Sequence, residues 1–289
     1  MTDATVQTIR VGDEHLDGRH GPVPVRRYRP SSLRGAATVV WLHGGAFSHG
    51  GLDQNESHAV GIALAGAGFP VVAVDYRRVP AWSWWRKPEP GVLDGVRYPV
   101  PLDDVVDAVS SVHTEGTAPA IVLGGASAGA CLAAAAALRL RAEGSLGPDR
   151  LLLAYGTFHA ELPPITPDIA VRIRGRHGLV QFRPSTVERM NRNYAGRIDA
   201  MDDPFAFPGG HDLAGLPPTL CLDADRDSLR ASGQRFAAEL RSAGVAVEHQ
   251  LVPESTHGFL DRPGTPGFND GIARAAAWLA RTDTRSERD

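Results

Sequence analysis

Residues 121–132 read IVLGGASAGACL, and this stretch decides the fold. Three apolar, strand-forming residues lead into two glycines, Ser127 follows between two alanines, and an alanine-rich run begins after Gly129. The pattern predicts a strand, a sharp turn and a helix, with Ser127 at the turn. Such a turn can expose a nucleophile above the edge of a sheet. A plain glycine-rich turn, or a dinucleotide-binding loop of the form Gly124-x-Ala126-x-x-Gly129, fits the same letters.

Outside this stretch, short apolar runs alternate with helix-length segments along most of the chain. This alternation indicates a largely parallel sheet with helices on both faces, and about eight strands are expected. The start differs, because VQTIRV (6–11) and VPVRRYRP (23–30) flank the turn-rich residues 12–21 and predict an antiparallel hairpin at the sheet edge. The 289 residues are predicted to form a single α/β domain.

One segment interrupts the alternation. Residues 156–215 are rich in proline, arginine and aspartate, with only a weak helical pattern at 185–196. An insertion of this length within a compact domain usually has a function, so we predict a small cap over the site. The last residues, 282–289, are too polar to pack and are expected to form a tail.

Composition narrows the range of partners. Apolar residues make up 43% of the chain and charged residues 22%, the net charge is -3, and the arginines are scattered, which argues against a nucleic-acid partner. The N-terminal residues lack the pattern of a signal peptide and no apolar run is long enough to span a membrane, so a cytoplasmic location is expected. The two cysteines, Cys131 and Cys221, lie in apolar runs and are expected to be buried and unpaired. Since the charge pattern argues against a nucleic-acid partner, we expect a small-molecule partner.

A nucleophilic serine needs a base, and the base needs an acid that holds its tautomer. His257 lies in a predicted turn after a strand, and Asp223, Asp225 and Asp227 follow the preceding strand. The chain order Ser, Asp, His is the order expected of an α/β-hydrolase. The residue pattern alone leaves the choice among the three aspartates open.

A second glycine-containing loop, WLHGGAF (41–47), follows another predicted strand. The backbones of Gly44 and Gly45 could approach a substrate oxygen closely and form an oxyanion hole. A dinucleotide-binding protein would not need this loop together with His257 and an aspartate, and its glycine loop usually lies in the first βα unit. The remaining histidines lack the spacing of a metal site, so neither a metal nor a cofactor is predicted.

These motifs resemble the hormone-sensitive-lipase-like, or bacterial family IV, carboxylesterases of the α/β-hydrolase superfamily. The resemblance covers nearly the whole chain. It rests on HGGAF (43–47), VDYRRVP (74–80), YPVPLDDV (98–105), GGASAGA (124–130), DLAGLPPTLCLDADRDSLR (212–230) and GVAVEHQLVPESTHGF (244–259).

The resemblance implies an α/β-hydrolase fold and a serine esterase. It implies Ser127 as nucleophile, His257 as general base and Asp227 as the orienting acid, because Asp227 directly precedes the SLR that matches the family's Pro-Leu-Arg. The backbone N–H groups that it implies for the oxyanion hole are those of Gly44, Gly45 and Ala128.

The chain departs from the family pattern at three places. Ala46 replaces the third glycine of the oxyanion loop, and Ala126 replaces the acidic residue before the serine. A backbone donor survives a change from glycine to alanine if alanine can adopt its φ and ψ. The third departure is a tryptophan-rich segment, 81–97, in which we expect Trp84 and Trp85 to cover either a substrate pocket or a partner subunit of a homodimer.

Three functions from different classes are consistent with the sequence. The first is a carboxylesterase that forms an acyl-enzyme on Ser127. The second is an acyltransferase, or a lactone- or amide-directed tailoring enzyme, with the same triad. The third is a non-catalytic ligand-binding relative, which would have no need to keep Ser127, Asp227 and His257 together.

Overall fold

A computed structural model describes residues 7–81, 83 and 92–281, with only the backbone described at 176, 179 and 180. One eight-stranded sheet forms its centre, in the spatial order β1-β2-β4-β3-β5-β6-β7-β8. The strands are β1 (Ile9–Leu16), β2 (Val23–Pro30), β3 (Ala37–Leu42), β4 (Val71–Val74), β5 (Ala120–Ala126), β6 (Arg150–Ala154), β7 (Thr219–Arg226) and β8 (Val247–Thr256). The predicted α/β-hydrolase architecture, with about eight strands, is confirmed.

Helices connect the strands and cover both faces of the sheet. They are α1 (Asn55–Gly66), α2 (Val100–Thr114), α3 (Ala128–Ala142), α4 (Pro167–Arg172), α5 (Pro184–Ala195), α6 (Arg230–Ser242) and α7 (Pro266–Leu279). One apolar core lies between the sheet and helices α2, α3 and α6, and the other lies between the sheet and helices α1 and α7. The helices therefore bury two separate cores against one sheet.

The first two strands form the predicted antiparallel hairpin at the sheet edge, and β2 also runs antiparallel to β4. All other neighbouring strands are parallel. β1 is longer than predicted, and it continues through residues 12–16, for which the sequence predicts a turn. Asp13 and Glu14 lie in this extension, where Arg26 and Arg27 of β2 neutralise their charges.

The segment 156–215 contains helices α4 and α5. The weak helical pattern corresponds to α5, which begins with Pro184 and is terminated by Gly196, the residue after the helix, where φ is 76°. Helix α4 was not predicted. It is six residues long, and the hydroxyl of Thr166 caps it by accepting a hydrogen bond from the N–H of Ile169.

Candidate active site

Ser127 lies between the last residue of β5 and the first residue of α3. Its backbone has φ 53° and ψ −116°, a conformation that a non-glycine residue adopts only when the surrounding structure imposes it. The parallel pairing of β5 with both β3 and β6 fixes one side of the turn, and helix α3 fixes the other. The turn therefore holds the hydroxyl group at the carboxyl edge of the sheet.

Two glycines allow this turn to close. A Cβ atom on Gly125 would lie 2.5 Å from the carbonyl carbon of Gly129, and one on Gly129 would lie 2.5 Å from the carbonyl oxygen of Leu42. Both distances are too short for real side-chain carbons, and the crowding atoms belong to the backbone. Gly125 is thus required by the close approach of the start of α3, and Gly129 by packing of the turn against the end of β3.

The structure brings Ser127, His257 and Asp227 into one hydrogen-bonded chain. The Ser127 Oγ atom lies 3.0 Å from His257 Nε2, and His257 Nδ1 lies 2.7 Å from Asp227 Oδ2. Because a carboxylate can only accept, Nδ1 carries the proton and Nε2 is left to accept from the serine hydroxyl. Asp227 and His257 directly follow β7 and β8, two parallel strands whose carboxyl ends meet at the same sheet edge as Ser127.

The other two aspartates of the turn have different partners. Asp223 Oδ2 lies 2.7 Å from His249 Nε2, and burial raises the pKa of the Asp223 carboxyl. Asp225 accepts a hydrogen bond from the N–H of Glu254 and lies 3.4 Å from Arg172 Nε. Of the three candidates, only Asp227 is bonded to His257.

Opposing effects act on the imidazole of His257. Burial lowers the pKa of His257, but the charge of Asp227 and its hydrogen bond, followed by the charges of Glu56 and Asp223, outweigh burial and raise it above its ordinary value. The surroundings of the ring thus favour the imidazolium that would form when the ring accepts a proton.

In the oxyanion loop after β3, one of the predicted donors already has a partner. The N–H of Gly44 donates to Glu56 Oε2 at 2.9 Å, so this donor already has an acceptor within the protein. Within the described residues, the N–H groups of Gly45 and Ala46 have no acceptor, and Ala46 adopts φ 53°. As the first residue of α3, Ala128 also has no acceptor for its N–H inside the helix. The N–H groups of Gly45, Ala46 and Ala128 are therefore left without an acceptor in the part of the chain that the structure describes.

Sequence reasoning missed two residues behind the site. Glu56 is buried in the first turn of α1, and Tyr155, directly after β6, donates its hydroxyl to Glu56 Oε1 at 2.7 Å. The ring of Tyr155 also packs edge-on against His257, with ring centroids 5.0 Å apart. The available signal was an acidic residue immediately before the apolar helix SHAVGIALAGAG, which also fits a solvated helix start.

Within the segment 156–215, the residues that lie between helices α4 and α5 reach the site. The amide of Gln181 donates to the carbonyl of Arg226 and accepts from the N–H of Ser228, whose hydroxyl donates to the carbonyl of Phe182. These bonds flank Asp227 on both sides. They hold the Phe182 ring edge-on to His257, with centroids 4.9 Å apart. The segment thus contributes an aromatic wall next to the imidazole.

Other sequence predictions have separate outcomes. Trp84 and Trp85 lie outside the described residues. Cys131 and Cys221 are buried and unpaired, as predicted. Over residues 7–81, 83 and 92–281, no three histidine, cysteine or acidic side chains are grouped so that they could hold a metal ion. Across the same residues, no helix combines the length and the apolar character needed to cross a membrane.

The sheet order and the strand-turn-helix around Ser127 define the class of α/β-hydrolases. Comparisons with known proteins agree: residues 39–261 match a family described by its alpha/beta hydrolase fold. The ethyl acetate hydrolase of Pseudomonas putida is 32% identical over 265 residues, which cover 86% of this chain and 76% of that protein. The carboxylesterase NlhH of Mycobacterium tuberculosis is 32% identical over 278 residues, covering 90% and 78% of the two chains.

A solved structure extends the likeness to the fold. An esterase of Pyrobaculum calidifontis superposes with a TM-score of 0.77 at 28% identity, covering 94% of this chain and 84% of that chain. The chain belongs to the alpha/beta hydrolase family. The predicted resemblance to hormone-sensitive-lipase-like carboxylesterases is confirmed.

Proposed function

We propose that the protein is a serine carboxylesterase that hydrolyses small-molecule carboxylic esters through an acyl-enzyme on Ser127. The broader statement, that the chain is a carboxylic-ester hydrolase, rests on its family and on relatives that are an ethyl acetate hydrolase and a carboxylesterase. The observation that carries the mechanism is the continuous hydrogen-bonded chain from Ser127 Oγ through His257 to Asp227, at 3.0 and 2.7 Å.

In the acylation step, Ser127 Oγ attacks the ester carbonyl carbon while His257 Nε2 accepts the hydroxyl proton. The carbonyl oxygen becomes negative, and the N–H groups of Gly45, Ala46 and Ala128 are the donors proposed to stabilise it. Collapse of the tetrahedral intermediate breaks the bond to the alcohol, which leaves with the proton from His257. A water molecule, activated by the same nitrogen, then hydrolyses the acyl-enzyme and restores Ser127.

Asp227 acts through His257. Its carboxylate accepts the Nδ1 proton, which keeps the tautomer that presents a bare Nε2 to Ser127, and it stabilises the imidazolium during both steps. Its second oxygen accepts the N–H of Leu229 at 2.9 Å, so the carboxylate is fixed from its own turn as well. This double anchoring supports a positioned acid rather than an incidental ion pair.

A second serine in the chain offers a matched control. Ser232 Oγ lies 2.8 Å from His159 Nδ1, and His159 Nε2 lies 3.2 Å from Glu239 Oε2, so the residue types repeat those of the proposed site. Ser232, however, is buried inside α6 and its hydroxyl accepts the N–H of Phe158. It has neither a strained turn nor an oxyanion loop beside it.

The test is labelling with a fluorophosphonate probe followed by peptide mapping. We expect one adduct on Ser127, loss of labelling in Ser127→Ala, and retained labelling in Ser232→Ala. Hydrolysis of a short-chain p-nitrophenyl ester should follow the same ranking. Absence of the Ser127 adduct would reject the mechanism. Added alcohol acceptors would reveal acyl transfer if ester products accumulate faster than free acid.

A further inference from the structure

Glu56 is a buried carboxylate that the proposed reaction does not use. Only 4% of the residue is exposed, and its side chain lies between the oxyanion loop and the end of β6. Oε2 accepts the N–H of Gly44 at 2.9 Å and the amide of Gln54 at 3.2 Å, and Oε1 accepts the hydroxyl of Tyr155 at 2.7 Å. One carboxylate thus joins three separate segments behind the site.

Two of these contacts favour the ionised form of Glu56. The N–H groups of Gly44 and of the Gln54 amide can only donate, so Oε2 accepts from both, which favours a carboxylate over a carboxylic acid. Burial is the largest effect and raises the pKa of Glu56 above its ordinary value, although the Tyr155 hydrogen bond, a positive charge on His257 and the Gly44 N–H each lower it in part. The like charge of Asp261, beyond the end of β8, opposes ionisation, and the hydroxyl of Tyr76 is a further neighbour.

Glu56 also approaches the imidazole of His257. A Cβ atom on Gly258, the residue after His257, would lie 3.9 Å from Glu56 Oε1. Tyr155, which is bonded to the same oxygen, packs its ring edge-on against the imidazole. The charged groups that act on His257 are therefore Asp227 at Nδ1, Glu56 from α1 and Asp223 from β7.

We propose that Glu56 is a positioning residue that couples the oxyanion loop to the general base. Its carboxylate fixes Gly44, and through the loop the neighbouring N–H donors, while its negative charge stabilises the His257 imidazolium. The inference rests on the proposed esterase mechanism. It adds a second acid to the site, which acts through Gly44 and Tyr155 and touches no substrate.

The negative charge of Glu56 has a measurable consequence for the pH dependence of the reaction. Because a negative group near His257 favours the imidazolium, removal of the charge makes His257 lose its proton at a lower pH. The base must be neutral to accept the serine proton, so the acidic limb of kcat/KM must move to lower pH. A residue that only filled space would change kcat without moving this limb.

The experiment compares Glu56→Gln with the wild-type protein and with Glu56→Asp. The glutamine keeps an acceptor for Gly44 but lacks the charge, so we expect the acidic limb to fall by about one pH unit. We also expect kcat to fall roughly 10- to 100-fold, less than the loss typical when an oxyanion donor is removed. Glu56→Asp keeps the charge on a shorter side chain, so its limb should stay near that of wild type while kcat falls.

Glu239→Gln is the matched control, because Glu239 is a hydrogen-bonded carboxylate whose partners are His159, Arg235 and the N–H of Gly210. The acidic limb of kcat/KM in Glu239→Gln should coincide with that of the wild-type protein. The pH dependence of fluorophosphonate labelling gives a second reading of the same base. An unmoved limb in folded Glu56→Gln, by both readings, overturns the proposal.

Two further outcomes are separable. If Glu56→Gln does not fold, Tyr155→Phe decides, because loss of the hydroxyl donor favours protonated Glu56 and should shift the limb in the same direction. An unmoved limb in that variant also overturns the proposal. If the wild-type protein neither hydrolyses esters nor labels at Ser127, it is the proposed function that fails, before the role of Glu56 is tested.

Discussion

Ser127 owes its position to a backbone conformation that its own side chain does not favour. With φ at 53°, the residue is held by the strand before it and the helix after it, and the N–H of Ser127 donates to the carbonyl of Ala154 on β6 at 2.8 Å. Local strain of this kind, on the order of 1–3 kcal/mol, persists only where surrounding structure over-determines it. The serine hydroxyl thereby meets His257 without a rearrangement.

The first prediction concerns the nucleophile and the base. Ser127→Ala and His257→Ala should each lower kcat on a short-chain p-nitrophenyl ester by roughly 10⁴- to 10⁶-fold, because each removes a member of a unit that works together. Circular dichroism and the melting temperature check that both variants fold. Near-wild-type turnover by either variant would contradict the assignment.

The second prediction separates two aspartates of the same turn. Asp227→Asn should cost on the order of 10⁴ in kcat, because the amide favours the tautomer of His257 that cannot accept the serine proton. Asp225→Asn is the control, since Asp225 is bonded to Glu254 and paired with Arg172 instead. Asp225→Asn should retain most of the activity. If steady-state kinetics rank the two variants in reverse, Asp225 and not Asp227 is the orienting acid.

The third prediction is the pH dependence of the wild-type protein. The pKa of His257 is raised, since Asp227 and then Glu56 and Asp223 outweigh burial. The neutral ring is the active form, so kcat/KM should rise with pH through an apparent pKa above the ordinary value of about 6.5 and level off at higher pH. A profile measured from pH 5 to 9 that lacks this acidic limb would exclude His257 as the base.

At the scale of elements, the unit from β5 to α3 could be predicted because its information is local. Glycines, a serine and an alanine run within twelve residues specify a strand, a turn and a helix. The acid turn and the histidine turn were found in the same way. Asp227 was chosen over its neighbours only by resemblance, because three aspartates within five residues fit one turn equally well.

The occupied donor at Gly44 could not be predicted, because it depends on a contact between elements. Glu56 and Tyr155 are 99 residues apart, and their hydrogen bond forms only when α1 and β6 pack on the same sheet. An acidic residue in the first turn of a helix ordinarily faces water, where the helix dipole favours it. Tertiary packing buried this one and turned the Gly44 N–H towards it.

The fourth prediction tests the close approach of α3 to β3. Gly129→Ala would place a carbon 2.5 Å from the carbonyl oxygen of Leu42, so the turn must shift. We expect a loss of about 2–4 kcal/mol in the free energy of unfolding, measured by urea denaturation. Gly12→Ala on β1 is the control, because nothing lies within 4 Å of the added carbon there, and it should change stability by less than about 0.5 kcal/mol. Equal stabilities for the two variants would contradict this account of the turn.

At the scale of the whole molecule, several contacts fasten the segment 156–215 to the rest of the molecule, among them two groups of hydrogen bonds. Near the site, Gln181 accepts from the N–H of Ser228 and donates to the carbonyl of Arg226, on either side of Asp227. At the start of the segment, His159 bonds to Ser232 and Glu239 of α6. Glu239 also binds the other end of the segment, because its Oε2 atom accepts the N–H of Gly210 at 3.0 Å. Both ends of the segment therefore converge on one carboxylate.

The fifth prediction follows from that carboxylate. Burial raises the pKa of Glu239, but hydrogen bonds from His159, Arg235 and the Gly210 N–H outweigh burial and lower it to about 2, from an ordinary 4.5. Because the folded-state pKa is depressed, this group stabilises the fold fully above about pH 4.5 and loses its contribution as the pH falls towards 2. Glu239→Gln should therefore lower the free energy of unfolding by roughly 1–3 kcal/mol at neutral pH.

The pH dependence of that difference is the decisive measurement. Urea denaturation of wild type and Glu239→Gln at a series of pH values should show a gap that is constant from pH 7 to 5 and narrows below about 4.5, as the wild-type carboxylate is protonated. Glu143→Gln is the control, since Glu143 forms an exposed i,i+4 pair with Arg139, and it should change stability by less than about 0.5 kcal/mol at every pH. A Glu239→Gln gap that stays the same down to pH 3 would mean that packing of the longer side chain, and not its charge, fastens the segment to α6.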